Sequence, residues 1–378
     1  MSTPPESGRA IVMVTGSLDA GGAERVLAEM ANYWNSKGWR ITLATWTGPS
    51  NVDFYDLDPG VQRVWLDVEA SSTSLVAKLR AYARRILKLR EMLENARPDA
   101  VLSFIDTSNV MTLLACMGLG LRVIVSERSN GDATARIAWM WRVSRIATYW
   151  RAAAVVAQTP DAARRIAKRC GVKAIAIPNP LRALPDTDGP RESMVLAVGR
   201  LSHEKGFDLL IRAFSGIGAE FSRWRLVIIG TGPAHSSLLR LSEQLQLGDR
   251  IEFRPPVKNI ESWMSRAGLV VQPSRFEGFP NVIMEAMGMG AAVISADCRS
   301  GPAEIINDGV NGRLVPVEDV AALTKVISEL LRQPEERVRL GREAKKVRQA
   351  FRQDLVMQKW ESCVAPASTL ARSAAPTD

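Results

Sequence analysis

Two glutamates, Glu277 and Glu285, stand in the stretch RFEGFPNVIMEA with seven residues between them and otherwise mostly apolar neighbours. Gly278 and Pro280 break the chain there, and proline suits the first turn of a helix. Glu277 is therefore expected in a loop and Glu285 inside the helix that follows. From Val282 to Val293 almost every residue is apolar or glycine, which predicts a helix buried all round. A carboxylate in such a helix is costly unless hydroxyls or cations meet it, and a single carboxylate can accept from both hydroxyls of a vicinal diol. If a nucleoside diphosphate lies across this region, Glu285 fits the ribose diol and Glu277 the hydroxyls of an attached sugar. Gly278, Phe279, Pro280 and Asn281 then line the donor, with the backbone amides just after Gly278 facing the phosphates or the sugar and Pro280, which has no N–H, shaping the turn. Upstream, AVGRLSHEKGF places Arg200 and Lys205 at the end of another apolar run. A guanidinium and an ammonium there can clamp a diphosphate leaving group and take up charge as it develops, with no metal.

Other loops carry weaker signals. Gly21 and Gly22 precede a helical pattern and let backbone amides approach a phosphate or sugar closely, but the loop does not form a GxGxxG fingerprint. GTGPAHSS at 230–237 also departs from it, with His235 at the last glycine position, and reads as a turn lining a nucleotide cleft. Two DxD triplets, Asp56 with Asp58 and Asp186 with Asp188, consist of common residues at a common spacing, and no metal site is expected from them. Four cysteines with no CxxC pair argue against a zinc site or a disulfide framework. No cofactor is expected.

The elements that must hold these loops are legible as alternation. Short β-branched runs begin at 10, 41, 100, 122, 153 and 174, then, after a break, at 194, 225, 250, 269, 291 and 312, with helical patterns between them. Alternating strands and helices imply parallel sheets covered on both faces. The break, PNPLRALPDTDGPRES at 178–193, has linker composition. At 378 residues the chain exceeds what one core usually serves, so two doubly wound Rossmann-like domains facing across a cleft are expected. Ligands of such sheets collect beyond the carboxyl ends of the strands.

The longest uncharged apolar stretch, about Val110 to Leu121, is too short to span a bilayer, and the N-terminus lacks a secretory pattern; a cytoplasmic location is expected. The net charge of +9 is concentrated. Residues 78–97 hold seven Lys/Arg against two acids, and 136–169 eight against one. In RIAWMWRVSRIATYWR three tryptophans and a tyrosine stand among arginines, a pattern suited to an anionic membrane surface. Leu79, Tyr82, Ile86, Leu89 and Leu93 repeat it beside Lys78, Arg84, Arg85 and Lys88. The competing reading is that both helices turn these apolar residues to the core. Basic segments outside any nucleic-acid motif do not support nucleic-acid binding.

GGAERV, VGRL with EKGFDLLIRAF, FEGFPNVIMEAMGMGAAVISADCRSGPAEII and DGVNGRLVPVEDVAAL together resemble glycosyltransferase family 4, retaining enzymes of the two-domain GT-B type, over most of residues 10–330. The resemblance implies a metal-independent transferase with a nucleotide-sugar donor, most simply UDP-linked, and a saccharide acceptor, which the basic segments extend to a lipid-linked one at the inner membrane. It places Glu277 on the sugar, Glu285 on the ribose, and Arg200 and Lys205 on the diphosphate. It also implies an acceptor domain over 1–182, a donor domain over 183–344, and a final helix, about 345–365, that returns to the first domain with Trp360 as a packing residue. Residues 366–378 read as a disordered tail. One departure stands out. Many relatives carry a histidine facing the sugar from the first domain, but both histidines here, His203 and His235, lie in the second half. Asp106, Thr107, Ser108 and Asn109 occupy the comparable loop, with Asp106 a candidate catalytic residue beside Glu277, Arg200 and Lys205, and Glu127, Arg128 and Asn109 are acceptor-side candidates. A nucleotide-sugar epimerase of similar architecture is the alternative enzyme.

Overall fold

The computed structural model describes residues 8–68, 75–128, 138–186 and 189–365; the expected tail, Asp188 and Arg136 lie outside them. The chain divides into two compact units, residues 1–178 with 354–378 and residues 179–353.

In the first unit, seven parallel strands are β1 (Ala10–Thr15), β2 (Arg40–Thr45), β3 (Gln62–Trp65), β4 (Ala100–Phe104), β5 (Arg122–Ser126), β6 (Ala154–Ala157) and β7 (Ala174–Ala176), in the order β3-β2-β1-β4-β5-β6-β7. Its helices are α1 (Gly22–Ser36), α2 (Leu75–Ala96), α3 (Asp106–Ala115), α4 (Ala138–Thr148) and α5 (Pro160–Cys170). The strand side chains alternate between two cores: Ile11 and Met13 pack into one, Val12 and Val14 into the other. Both faces are therefore covered, which is why these strands read as unbroken apolar runs. Strand β3 had no expected counterpart. It is a four-residue edge strand whose residues are only half-buried or exposed, so it lacks the apolar run that marked the others.

The second unit has β8 (Glu192–Val198), β9 (Arg225–Ile229), β10 (Ile251–Arg254), β11 (Ala267–Gln272), β12 (Val293–Ala296) and β13 (Arg313–Val315), in the order β10-β9-β8-β11-β12-β13. Its helices are α6 (Phe207–Ser215), α7 (His235–Gln244), α8 (Ile260–Arg266), α9 (Asn281–Gly288), α10 (Pro302–Ile305), α11 (Val320–Arg332), α12 (Pro334–Ala344) and α13 (Val347–Ala350). All pairings are parallel, and the strand order reverses between β8 and β11. The loops after those two strands flank the topological switch point.

The last helix, α14 (Gln353–Val364), packs in the first unit, where Trp360 is fully buried beside Phe104. The boundaries differ from the expected ones for local reasons. The Leu181 amide donates to the Phe351 carbonyl, and Arg182 pairs with Glu261, so the segment from Asn179 belongs to the second unit. Residues 345–353 stay there as well.

Candidate active site

The loops after β8 and β11 are pressed together. Gly206 has φ +66°, and a Cβ there would come within 2.1 Å of the Pro273 carbonyl oxygen, so only glycine fits. Arg275 fastens the same two loops: its guanidinium donates to both oxygens of Asp208 (2.8 Å each), to Glu318 (2.7 Å) and to the His203 carbonyl (2.9 Å), and its own amide donates to the Glu204 carbonyl (2.8 Å). A planar fork held on two carboxylates is a rigid clamp. Burial opposes ionisation of Asp208, but the hydrogen bonds and charge of Arg275 outweigh it and hold the carboxyl below its ordinary range.

The clamp brings Lys205 and Glu277 into contact. Lys205 Nζ donates to Glu277 Oε1 (2.7 Å) and Oε2 (2.9 Å). Glu277 Oε1 also accepts from Ser274 Oγ (2.6 Å) and from Gln272 Nε2 (3.1 Å). Glu277 is 7% exposed, so the pair sits at the rim of the unit's interior. Cys298 lies close enough to feel both charges. Burial, assisted by Glu277 and opposed by Lys205, pushes its thiol up to about 12.

Glu285 lies one turn into α9 and is 2% exposed, in a run from Ile283 to Gly288 that is buried throughout. The helix buried all round is thus present, although it stops at Gly288. Pro280 is its N-cap and Asn281 its first residue. The Asn281 side chain accepts from Asn179 (2.6 Å). Phe279 turns its ring into the core against Phe351, so any contact to a ligand from this residue is through its backbone. Gly278 is half-buried, and its carbonyl borders Gly301 in the loop after β12. Arg200 is exposed beyond β8. The turn after β9 closes the floor, since a Cβ at Gly230 would meet the Gly199 carbonyl at 1.9 Å. The second unit therefore brings together Lys205, Glu277 and the start of α9, with Arg200 nearby in sequence. Gln272, Ser274, Arg275 and Asp208 were not anticipated. Their signal was available as two polar residues closing the buried run AGLVVQPS, and as an arginine two residues before Glu277.

The remaining candidates are in the first unit. Gly22 opens α1 behind its N-cap Gly21, whose carbonyl accepts from Tyr55 (3.0 Å). Asp106 begins α3 and accepts from the Thr107 amide (2.8 Å). Before it, Ile105 takes φ +75°, strained for a β-branched residue. Ser108 and Asn109 are buried: Ser108 accepts from Trp46 Nε1 (2.9 Å), and Asn109 donates to Tyr149 Oη (3.2 Å) and the Ser126 carbonyl (3.0 Å). Glu127 is enclosed as well, accepting from Tyr149 Oη and from Arg145 (3.2 Å), and burial pushes its carboxyl up. Arg128 stacks on Phe104 (3.7 Å) and Trp360 (5.5 Å). Asn109, Glu127 and Arg128 thus knit β4, β5, α4 and α14 together within the unit, while Asp106 and Thr107 are only half-buried. Among the described residues no group of three or more His, Cys, Asp or Glu could hold a metal ion. Asp186 pairs with Arg348, and the Asp58 amide donates to Asn32.

Two tandem doubly wound units are the architecture of the GT-B class. A family model described as "Glycosyl transferase 4-like domain" matches residues 21–180, and one described as "Glycosyl transferases group 1" matches residues 188–347. The chain belongs to the GT-B glycosyltransferases. It is 27% identical, over 94% of its length and 98% of the relative's, to the Campylobacter jejuni GalNAc-alpha-(1->4)-GalNAc-alpha-(1->3)-diNAcBac-PP-undecaprenol alpha-1,4-N-acetyl-D-galactosaminyltransferase. Among solved structures it resembles sucrose-phosphate synthase from Thermosynechococcus elongatus (TM-score 0.81, 19% identity, 94% of this chain and 98% of that one) and Anabaena Alr3699/HepE in complex with UDP (TM-score 0.75, 17% identity, 94% and 98%). Both domain models are those of glycosyl transferases, which leaves the epimerase alternative unsupported.

Proposed function

We propose that the protein is a retaining, metal-independent transferase that moves a hexose or N-acetylhexosamine from a UDP-sugar to a lipid-linked saccharide in bacterial polysaccharide or glycan assembly. The observation that carries the reading is the Lys205–Glu277 bridge at the β8/β11 switch point. It sets a cation able to take the donor's diphosphate against a carboxylate able to take the sugar's hydroxyls. Lys205 and Arg200 stabilise the charge that develops on the leaving diphosphate. Glu285 holds the ribose. The acceptor hydroxyl attacks the anomeric carbon on the face the diphosphate leaves; the new C–O bond forms as the sugar–phosphate bond breaks, and a phosphate oxygen takes the proton. The protein's part is to position the reactants and stabilise charge. The UDP complex of the Anabaena neighbour supports the nucleotide, and the undecaprenol-linked substrate named for the Campylobacter relative supports the acceptor class.

The first unit docks on the anionic cytoplasmic face of the inner membrane through α4. Met140, Val143 and Ile146 of α4 and Trp150 in the turn after it all face solvent, Val143 54% and Trp150 63% exposed, beside exposed Arg142 and Arg151. Such a face is apolar between cations. No described helix is long and apolar enough to cross a membrane.

Following the anomeric proton by NMR during turnover of α-linked UDP-sugars in EDTA tests the reaction. The expected first-formed product keeps the α configuration. A β product, or activity that EDTA abolishes, contradicts the reading.

A further inference from the structure

We propose that Gln272 and Ser274 are positioning residues that fix the Glu277 carboxylate for the sugar while Lys205 is handed to the diphosphate; this rests on the donor-site reading above. Both residues are 1% exposed, and both stand where a purely structural chain would place apolar side chains, at the end of the all-buried strand β11.

Their hydrogen bonds run in one direction. Gln272 Nε2 donates to Ser274 Oγ (2.7 Å) and to Glu277 Oε1 (3.1 Å), and Ser274 Oγ lies 2.6 Å from the same Oε1. A hydroxyl has one proton. The carboxylate can only accept, so at 2.6 Å Ser274 must turn that proton to Glu277. The opposite orientation of the Gln272 amide would set a carbonyl oxygen against a carboxylate, so the network has one consistent assignment. Two donors converging on Oε1 fix the rotation of the carboxylate about its last bond, and that grip does not involve Lys205.

The lysine is the movable member. It bridges both carboxylate oxygens and is more exposed than Glu277. A diphosphate, with more charge than one carboxylate, competes for it. When Lys205 turns to the phosphates, Gln272 and Ser274 keep Glu277 in place, and Oε2, which had accepted from the lysine, turns to a sugar hydroxyl. Without the two donors, Glu277 would follow the lysine or rotate, and the sugar would lose a fixed partner although the nucleotide still bound.

The test compares UDP affinity by calorimetry with kcat on the UDP-sugar that the wild type hydrolyses fastest, for Gln272→Leu, Ser274→Ala and Ser274→Thr. Gln272→Leu and Ser274→Ala are expected to keep UDP affinity within about three-fold while kcat falls about ten- to hundred-fold, the scale of a misplaced reactant. Ser274→Thr, which retains the hydroxyl, recovers most of the Ser274→Ala loss. Because the two residues act through one oxygen, the double variant falls short of the product of the single losses. The positioning role is overturned if kcat is unchanged, if threonine does not rescue, or if UDP affinity falls in step with kcat. A wild type that binds none of UDP, GDP, ADP or dTDP overturns the donor-site reading itself.

Discussion

Lys205 and Glu277 are each other's partners in this structure, and that pairing governs what single substitutions do. On the proposed donor site, removing the lysine takes away a charge-assisted contact to the diphosphate, worth about 1.5–3 kcal/mol. Lys205→Ala should therefore weaken UDP binding about ten- to hundred-fold, measured by calorimetry. Cys298 reports on the same interior: with burial holding its thiol up to about 12, the thiolate that reacts is absent at pH 8. An alkylating reagent should leave Cys298 unmodified in the native protein and label it only in denaturant, as peptide mass spectrometry would show. The pair of glutamates was legible from sequence because carboxylates in an apolar segment require an explanation. Gln272 and Ser274 left only an ambiguous signal, since polar residues closing a buried run read equally well as the start of a loop.

The loops after β8 and β11 behave as one element because Arg275 joins them. Asp208 is depressed by that arginine, so its contribution to stability is fully present above the unfolded value of 3.8 and is lost as pH falls through the lower folded value. Asp208→Asn should remove part of the acid-side slope of stability below the unfolded value of 3.8, read from urea midpoints as the pH is lowered. A variant with the wild-type slope would show that Asp208 is not held by Arg275 in the way the structure depicts. The amphipathic helices make the complementary point. In α2, Leu89 and Leu93 are buried, Tyr82 and Ile86 pack against the core, and Arg85 and Lys88 donate to the Val68 and Leu66 carbonyls. Most of that stripe faces inward; of the residues expected there, Leu79, Arg84 and Lys88 face solvent. In α4 the outward stripe contains Val143, while Trp141 packs edge-on against Tyr82. Periodicity alone could not tell the two apart, because both faces of each helix carry apolar residues. Val143→Asp with Ile146→Asp should abolish sedimentation with anionic vesicles while leaving UDP affinity unchanged; retained sedimentation would remove α4 from the docking surface.

For the molecule as a whole, twelve of the thirteen described strands were visible as short apolar or β-branched runs, most of them because parallel strands covered on both faces are written that way. The return of α14 to the first unit was implied by the family resemblance; no local signal in that helix states which sheet it packs on. Its anchor is Trp360, fully buried against Phe104 with Arg128 stacked on both rings. Trp360→Ala should cost about 3–5 kcal/mol, read as a lowered urea midpoint. The measurement that tests the central claim most directly is nucleotide release from UDP-, GDP-, ADP- and dTDP-sugars in EDTA by the wild type, Lys205→Ala and Glu285→Ala. Slow release from one UDP-sugar, lost in both variants, is the predicted result. Release that both variants retain, or no release and no nucleotide binding by the wild type, would contradict a donor site at the β8/β11 switch point.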